Sequence, residues 1–295
     1  MARETGYLSA NAVTKIRLVI FKKNGQILEE TPFFQQMIEG IEEECHRLGY
    51  EMVISHVDQR NPNYQKQVRD LLEEQGVGII LLGTEMMDGD LSLYRNASCP
   101  VLLLDHWTES MDFNSVLINN ADAARAITEH LLDNGHREVG YLRGNYRIKA
   151  FRSRFIGFQT ALKKYKVPYK EEYTVTVGTY MSTACQDMLE YLKKKPKLPT
   201  AFFADNDIIA LGAMKALQEM GYRIPEDISI VGFDDLTFSE ISSPPLTTLR
   251  VEKREMGKMA VRRLVELIDG IGTSTVTKIQ VCPKIIYRNT VKNIK

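Results

Sequence analysis

Apolar residues along this chain follow two alternating rhythms. Short unbroken apolar runs, suited to strands buried on both faces, alternate with stretches where apolar residues recur every three or four positions, as on one helix face. Ile16 to Phe21 (IRLVIF) is the first run. Phe34, Met37, Ile38, Ile41, Cys45 and Leu48 then form a helical stripe that stops at Gly49. Glu51 to His56 returns as a strand. Asn61-Pro62 reads as an N-cap with proline at the first helical position, followed by Tyr64, Val68, Leu71 and Leu72 facing inward and a stop at Gly76. Val77 to Leu82 and Val101 to Leu104 are two further strands, the second ending in Asp105.

The rhythm then repeats. Asn120 caps a helix bearing Ala123, Ala124, Ile127 and Leu131, with Asn134-Gly135 as its stop. Glu138 to Leu142 is a strand, Phe155, Phe158 and Leu162 mark a helix, Val175 to Val177 is a strand, and a helix carrying Met188, Leu189 and Leu192 starts near Ser182. Ala201 to Ala204 closes on Asp205-Asn206-Asp207 and feeds a helix with Ile209, Ala213, Ala216, Leu217 and Met220, capped by Asn206 or Asp207 and stopped by Gly221. Ile228 to Phe233 is a strand ending in Asp234-Asp235. A last amphipathic helix (Met256, Met259, Ala260, Leu264, Leu267) precedes two strand-like pieces, Lys278 to Cys282 and Lys284 to Tyr287.

Strand–helix alternation with right-handed crossovers predicts an α/β protein of two similar doubly wound parallel-sheet lobes. The first passage between lobes is placed at Ile118-Asn119-Asn120, and the last helix is expected to pack back on the first half, which makes the lobes share crossing strands. Polar residues that end parallel strands gather at one carboxyl edge, where open α/β sheets bind ligands.

Composition narrows the function. With 38 basic against 38 acidic residues, the chain lacks the basic excess of a general nucleic-acid or membrane binder. No apolar run reaches the roughly 20 residues that span a bilayer, and MARETGYLSANAVTK has no secretory apolar core, so a cytoplasmic location is expected. Cys45, Cys99, Cys185 and Cys282 are far apart in apolar contexts, which predicts buried reduced thiols and no zinc. GxGxxG after the first strand, GxxxxGK[ST], GxSxG and HExxH are all missing, so neither enzyme chemistry nor a cofactor is expected.

Eight segments in order carry a family resemblance. They are TPFF with GIEEECHRLGY, GVGIILLG, CPVLLLDH, INNADAARAITEHLLDNGHREVGYLRG, RFIGFQTAL, PTAFFADNDIIALGAMKAL, IPEDISIVGFDD, and PPLTTLRVEKREMGKMAVRRLVELI. Each alone is weak; together they are specific. The chain resembles the effector-binding core of LacI/GalR-family transcriptional regulators, with the type I periplasmic-binding-protein-like fold. The resemblance implies residues 14–118 plus 251–279 as an N-terminal lobe and 119–250 plus 280–295 as a C-terminal lobe, with residues 1–13 a remnant of headpiece and linker. It implies a homodimer that senses a small molecule, a sugar being favoured, in a cleft between lobes. Operator DNA is then met through a helix-turn-helix headpiece absent from this chain, and no membrane is involved. A periplasmic-type sugar-binding protein for transport or chemotaxis is the alternative.

By resemblance, Asp105, Arg154, Asn206 and Asp234 match effector-contacting positions, and Phe33, Phe34 and Tyr180 match positions that carry aromatic platforms. The chemistry fits: arginine offers a planar fork for two oxygens, carboxylates accept from vicinal hydroxyls, and sugar C–H faces stack on rings. Glu30 is a further candidate acid, while Asp207 and Asp235 read as structural carboxylates that hold loops. Trp107 stands one place later than the tryptophan of purine-responsive members, with His106 in that place, which favours a sugar. His136 reads as a turn residue and Lys193 to Lys197 (KKKPK) as a solvated helix end.

Overall fold

The computed structural model describes residues 13–28, 32–272 and 275–295, so the expected remnant before residue 13 and the candidate Glu30 lie outside the described residues. The chain divides into two compact units. The described part up to Leu28 with Phe34–Leu117 and Lys253–Gln280 makes the N-terminal unit, and Ile118–Glu252 with Val281–Lys295 makes most of the C-terminal one.

The N-terminal unit is built on a six-stranded sheet. Its chain order is β1 (Lys15–Lys22), α1 (Phe33–Leu48), β2 (Glu51–Asp58), α2 (Tyr64–Glu73), β3 (Val77–Leu82), β4 (Val101–Leu104), β5 (Asn114–Ile118), α8 (Lys253–Ile268) and β11 (Lys278–Val281). The sheet order is β11-β5-β4-β3-β1-β2, with parallel registers such as Ile16↔Met52 and Ile79↔Val101. All six residues of β3 are buried because both its faces are covered. Val77, Ile79 and Leu81 join Val68 and Leu72 of α2 in one core cluster. On the other face Gly78 lies against Leu264 and Ile268 of α8. A strand of this kind reads as an unbroken apolar run, since no face is spared for solvent.

The C-terminal unit carries a four-stranded parallel sheet, order β7-β6-β8-β9. Its elements are α3 (Asn120–Asp133), β6 (Val139–Gly144), α4 (Lys149–Lys164), β7 (Thr174–Val177), α5 (Met181–Lys193), β8 (Ala201–Ala204), α6 (Asp207–Glu219), β9 (Ser229–Val231), α7 (Thr237–Ile241), β10 (Thr248–Arg250) and β12 (Lys284–Ile286). Alternation along β8 divides its side chains between two layers. Phe202 joins the cluster of α5 and α6, whereas Phe203 meets Tyr141 and Phe158 at ring distances of 5.5 and 6.4 Å. A fully buried aromatic or aliphatic side chain contributes about 1.5–3 kcal/mol, so such layers dominate stability. At Gly157 of α4 a Cβ would stand 2.1 Å from the Ala121 carbonyl of α3, so only glycine lets these two helices approach so closely.

Several local expectations shift. Asn119, not Asn120, caps α3, and its side chain accepts from the Asp122 N–H. The helix expected at Pro62 begins at Tyr64, because Asn61 Oδ1 accepts the Asn63 N–H at 2.9 Å and holds residues 61–63 in a turn. β5, β10 and α7 carried no readable period; β10 has three residues, pairs antiparallel with β12 and bridges Asp234 through Arg250. Cys45 and Cys185 are buried thiols, but Cys282 is exposed beside the end of β11, outside the core that its apolar context suggested.

Candidate functional site

The carboxyl edge of the C-terminal sheet is organised by three consecutive residues after β8. Asp205 is fully buried and its carboxylate accepts the Gly144 N–H at 2.8 Å, the Tyr141 hydroxyl and Arg147. Burial pushes this carboxyl up, against the pull of Arg147 and the hydrogen bonds. Asn206 caps α6, Oδ1 accepting the Ile209 N–H at 3.0 Å, while its Nδ2 makes no hydrogen bond among the described residues. Asp207 is fully buried and receives the Leu236 N–H at 3.0 Å, Ser239 Oγ at 2.6 Å and Thr248 Oγ1 at 2.5 Å. Burial, then the charge of Asp234, raise its carboxyl to about 7. A Cβ at Gly232 would come 2.1 Å from Asp207 Oδ1, so glycine there is what lets the carboxylate into the turn.

That turn presents Asp234, which has φ 114°, followed by Asp235 at φ 49°. Residues with a β-carbon adopt such angles only when their surroundings over-determine them. The restraints are visible. Asp234 N–H bonds the Leu249 carbonyl at 2.8 Å, and Asp235 pairs with Arg250 at 2.6 Å and Arg288 at 2.8 Å. Asp235 and Asp207 thus hold loops, as their sequence setting suggests.

Arg154 of α4 is the centre of this edge. It is 4% exposed. Nε donates to Asn120 Oδ1 at 2.9 Å, one terminal nitrogen to the Asp205 carbonyl at 2.6 Å and the other to Asp234 Oδ1 at 3.3 Å. The guanidinium carbon lies 3.5 Å from the Phe233 ring centre and 5.5 Å from that of Phe151. Each terminal nitrogen keeps one N–H with no acceptor among the described residues. The arrangement is a rigid, desolvated donor fork beside a carboxylate, suited to a ligand with adjacent oxygens.

The structure therefore brings Arg154, Asn206 and Asp234 to one edge. Tyr180 is the half-buried N-cap residue of α5, its carbonyl accepting the Ala184 N–H at 2.8 Å. Asp105, in the N-terminal unit, follows β4 at φ 54° and accepts Thr84 Oγ1 at 2.7 Å. Phe33 and Phe34 open α1 with side chains 4% and 7% exposed. His106 is buried, its Nδ1 2.9 Å from the Gly83 carbonyl, whereas Trp107 is 42% exposed with the Lys278 ammonium 5.7 Å from its ring centre.

Sequence reasoning missed three supports. Asn120 was read as a cap and is an acceptor for Arg154; only the adjacency of two asparagines hinted at separate tasks. Phe233 was read as core and is the platform under the guanidinium. Glu85, fully buried just beyond β3, accepts the backbone N–H groups of Lys23, Asn24, Gly25 and Ile27 at 2.8–3.1 Å and so fixes the loop after β1. No local pattern announces a carboxylate bound that far along the chain. Among the described residues no group of side chains has the makings of a metal site.

Residues 128–291 match the periplasmic binding protein-like domain family. The HTH-type transcriptional repressor PurR of Mannheimia succiniciproducens is 31% identical over 289 residues, covering 97% of this chain and 84% of the relative. Among solved structures, the complex of the transcriptional regulator CelR with cellobiose superposes with a TM-score of 0.83 at 25% identity, covering 95% of this chain and 85% of that one. The lac repressor dimer bound to operator and the anti-inducer ONPF gives 0.82 at 26% identity, covering 94% of each chain.

Proposed function

The chain belongs to the LacI family of transcriptional regulators, as the effector-binding, periplasmic binding protein-like core, and on that premise we propose that Arg154 and Asp234 anchor a sugar effector. The relatives are transcriptional repressors, which sets aside the transport and chemotaxis alternative. The observation that carries the sugar reading is the Arg154 fork, held over the Phe233 ring, with one N–H on each terminal nitrogen that has no acceptor among the described residues and a carboxylate alongside. Vicinal hydroxyls satisfy both partners at once: their oxygens accept from the fork and their protons go to Asp234. The Asn206 Nδ2, which makes no hydrogen bond among the described residues, adds a further donor to the same edge. The cellobiose complex of the 25% identical regulator supports a sugar in this reading. Asp105, Phe33, Phe34 and Tyr180 are proposed as further contacts. We place the protein in the cytoplasm as a homodimer that reaches operator DNA through a headpiece, in keeping with its repressor relatives.

A thermal-shift screen with monosaccharides, disaccharides, sugar phosphates and nucleobases tests this. A sugar at 100 times its Kd should stabilise the protein by about 2.7 kcal/mol. Arg154→Gln and Asp234→Asn should each abolish that shift while the ligand-free protein still melts cooperatively. Stabilisation by a nucleobase and by no sugar overturns the sugar assignment. A sugar shift that survives both substitutions overturns the anchor.

A further inference from the structure

We propose that the far end of the C-terminal unit, where α4 and α5 finish, is a sequence-independent contact for the phosphate backbone of duplex nucleic acid. This goes beyond effector binding and does not depend on it. Two lysine-rich segments meet there, KKYKVPYK at 163–170 and KKKPK at 193–197. Their proximity is fixed by Glu138, whose carboxylate receives Lys170 at 3.3 Å, Lys197 at 2.7 Å and the Tyr173 hydroxyl at 2.8 Å. Lys164 pairs with Glu129. Lys163, Lys166, Lys193, Lys194 and Lys195 are exposed and form no ion pair among the described residues.

The helix dipole accounts for cations in a final turn, which covers Lys163, Lys164 and Lys193. It does not account for Lys166, Lys170, Lys195 and Lys197, which lie beyond those turns. Lys166 and Lys195 also adopt left-handed backbone, φ 56° and 52°. At the ends of α1, α2, α3, α6 and α8 that conformation is taken by Gly49, Gly76, Gly135, Gly221 and Gly270, at no steric cost. Only the two helices that finish at this end place a lysine there, so a charge stands where backbone preference asks for glycine.

The kind of partner follows from what the surface lacks. Lysine is a flexible point charge and offers no planar fork for one particular anion. The aromatic rings are engaged: Tyr173 is buried, Tyr169 stands edge-on to Phe155 at 5.6 Å, and half-buried Tyr165 is tied to Asp133 through its hydroxyl at 2.7 Å with the Lys164 ammonium 5.8 Å from its ring centre. Stacking platforms for single-stranded bases are therefore missing. The large exposed apolar side chains of this unit, such as Ile156, Met220, Phe238 and Tyr287, are not in the two lysine segments, which leaves no apolar anchor for a protein hot spot or for membrane insertion. Regularly spaced duplex phosphates suit such a surface. The chain as a whole has zero net charge, so duplex binding has to come from a local basic surface such as this one.

The test is fluorescence anisotropy of the 295-residue chain with a labelled mixed-sequence duplex at about 50 mM salt. Binding in the micromolar to sub-millimolar range is expected, with log K falling linearly with log salt. The triple variant Lys166→Glu, Lys194→Glu, Lys195→Glu should weaken binding at least tenfold and reduce the salt slope by about 2.7. A control triple, Lys66→Glu, Lys215→Glu, Lys284→Glu, changes net charge equally at exposed lysines elsewhere and should keep most of the affinity. Melting curves confirm that both variants are folded. Equal loss in both triples, or wild-type binding by the first, overturns the site. So does absent duplex binding at low salt, or preference for single strands, polyglutamate or phosphatidylserine vesicles over duplex.

Discussion

Asp205, Asn206 and Asp207 follow one another at the end of β8 and hold three different neighbours. The first ties down the end of β6, the second caps α6, and the third pins the turn that carries Asp234. The sequence reading singled out all three as polar strand-end residues, offered Asn206 as a cap and placed the structural role on Asp207, but the partners of Asp205 and Asp207 lie 29 to 64 positions away and leave no local trace. Asp207 gives a pH prediction. Its folded carboxyl sits at about 7 against an ordinary value of 3.8, so the native state holds a proton that the unfolded chain releases. Stability from this group is therefore full below about pH 4 and lost as pH rises towards 7, by up to about 1.4 kcal/mol per pH unit. Asp207→Asn should flatten that part of a urea-denaturation series; an unchanged pH slope would show that another group controls it. Glu44 acts in the opposite direction. Hydrogen bonds from Arg47 and Arg262 hold its carboxyl at about 2, so its contribution is lost only as pH falls below about 4.

At the scale of elements, strands with two covered faces were the most legible, because six buried residues in a row, as in β3, leave no other reading. Helices with a glycine stop were equally clear. β10 and α7, of three and five residues, lack both a period and an unbroken apolar run. Helix–helix contacts were also hidden, since they depend on glycines inside helices, which propensity alone counts as weaknesses. Gly157 makes the point: Gly157→Val drives a side chain into the Ala121 carbonyl and should cost about 2 kcal/mol. Melting should fall by roughly 4–8 °C, whereas Gln159→Ala on the exposed face of α4 should leave it unchanged. The candidate site was legible to the extent that it uses strand ends. Arg154 and Asp234 were identified, but not Asn120 or Phe233, whose roles exist only once α3 and β9 lie beside α4.

At the scale of the molecule, each unit is assembled from separated pieces of chain. Residues 288–295 return to the C-terminal sheet. Thr290 accepts the Thr247 N–H at 2.9 Å through its hydroxyl, which itself donates to the Ile230 carbonyl at 2.6 Å, and its carbonyl accepts the Ile230 N–H at 2.9 Å. His136 Nε2 donates to the Lys292 carbonyl at 3.1 Å, so this histidine is a clasp for the tail as well as a turn residue. Removing residues 288–295 should strand several buried groups at about 1–3 kcal/mol each and lower the melting temperature by more than 5 °C. Circular dichroism of the truncated chain checks this; wild-type melting would mean water replaces the tail without loss. The N-terminal sheet has the same dependence on late chain, since α8 covers β3 and β11 completes its edge. For a chain made from one end, this sets an order of events. When β3 leaves the ribosome, the helix that will cover one of its faces is not yet translated. It appears only after the C-terminal sheet has been synthesised. The nascent N-terminal unit therefore carries an uncovered apolar face through most of translation, and its pause before completion, more than its final stability, is when it is exposed to misassociation.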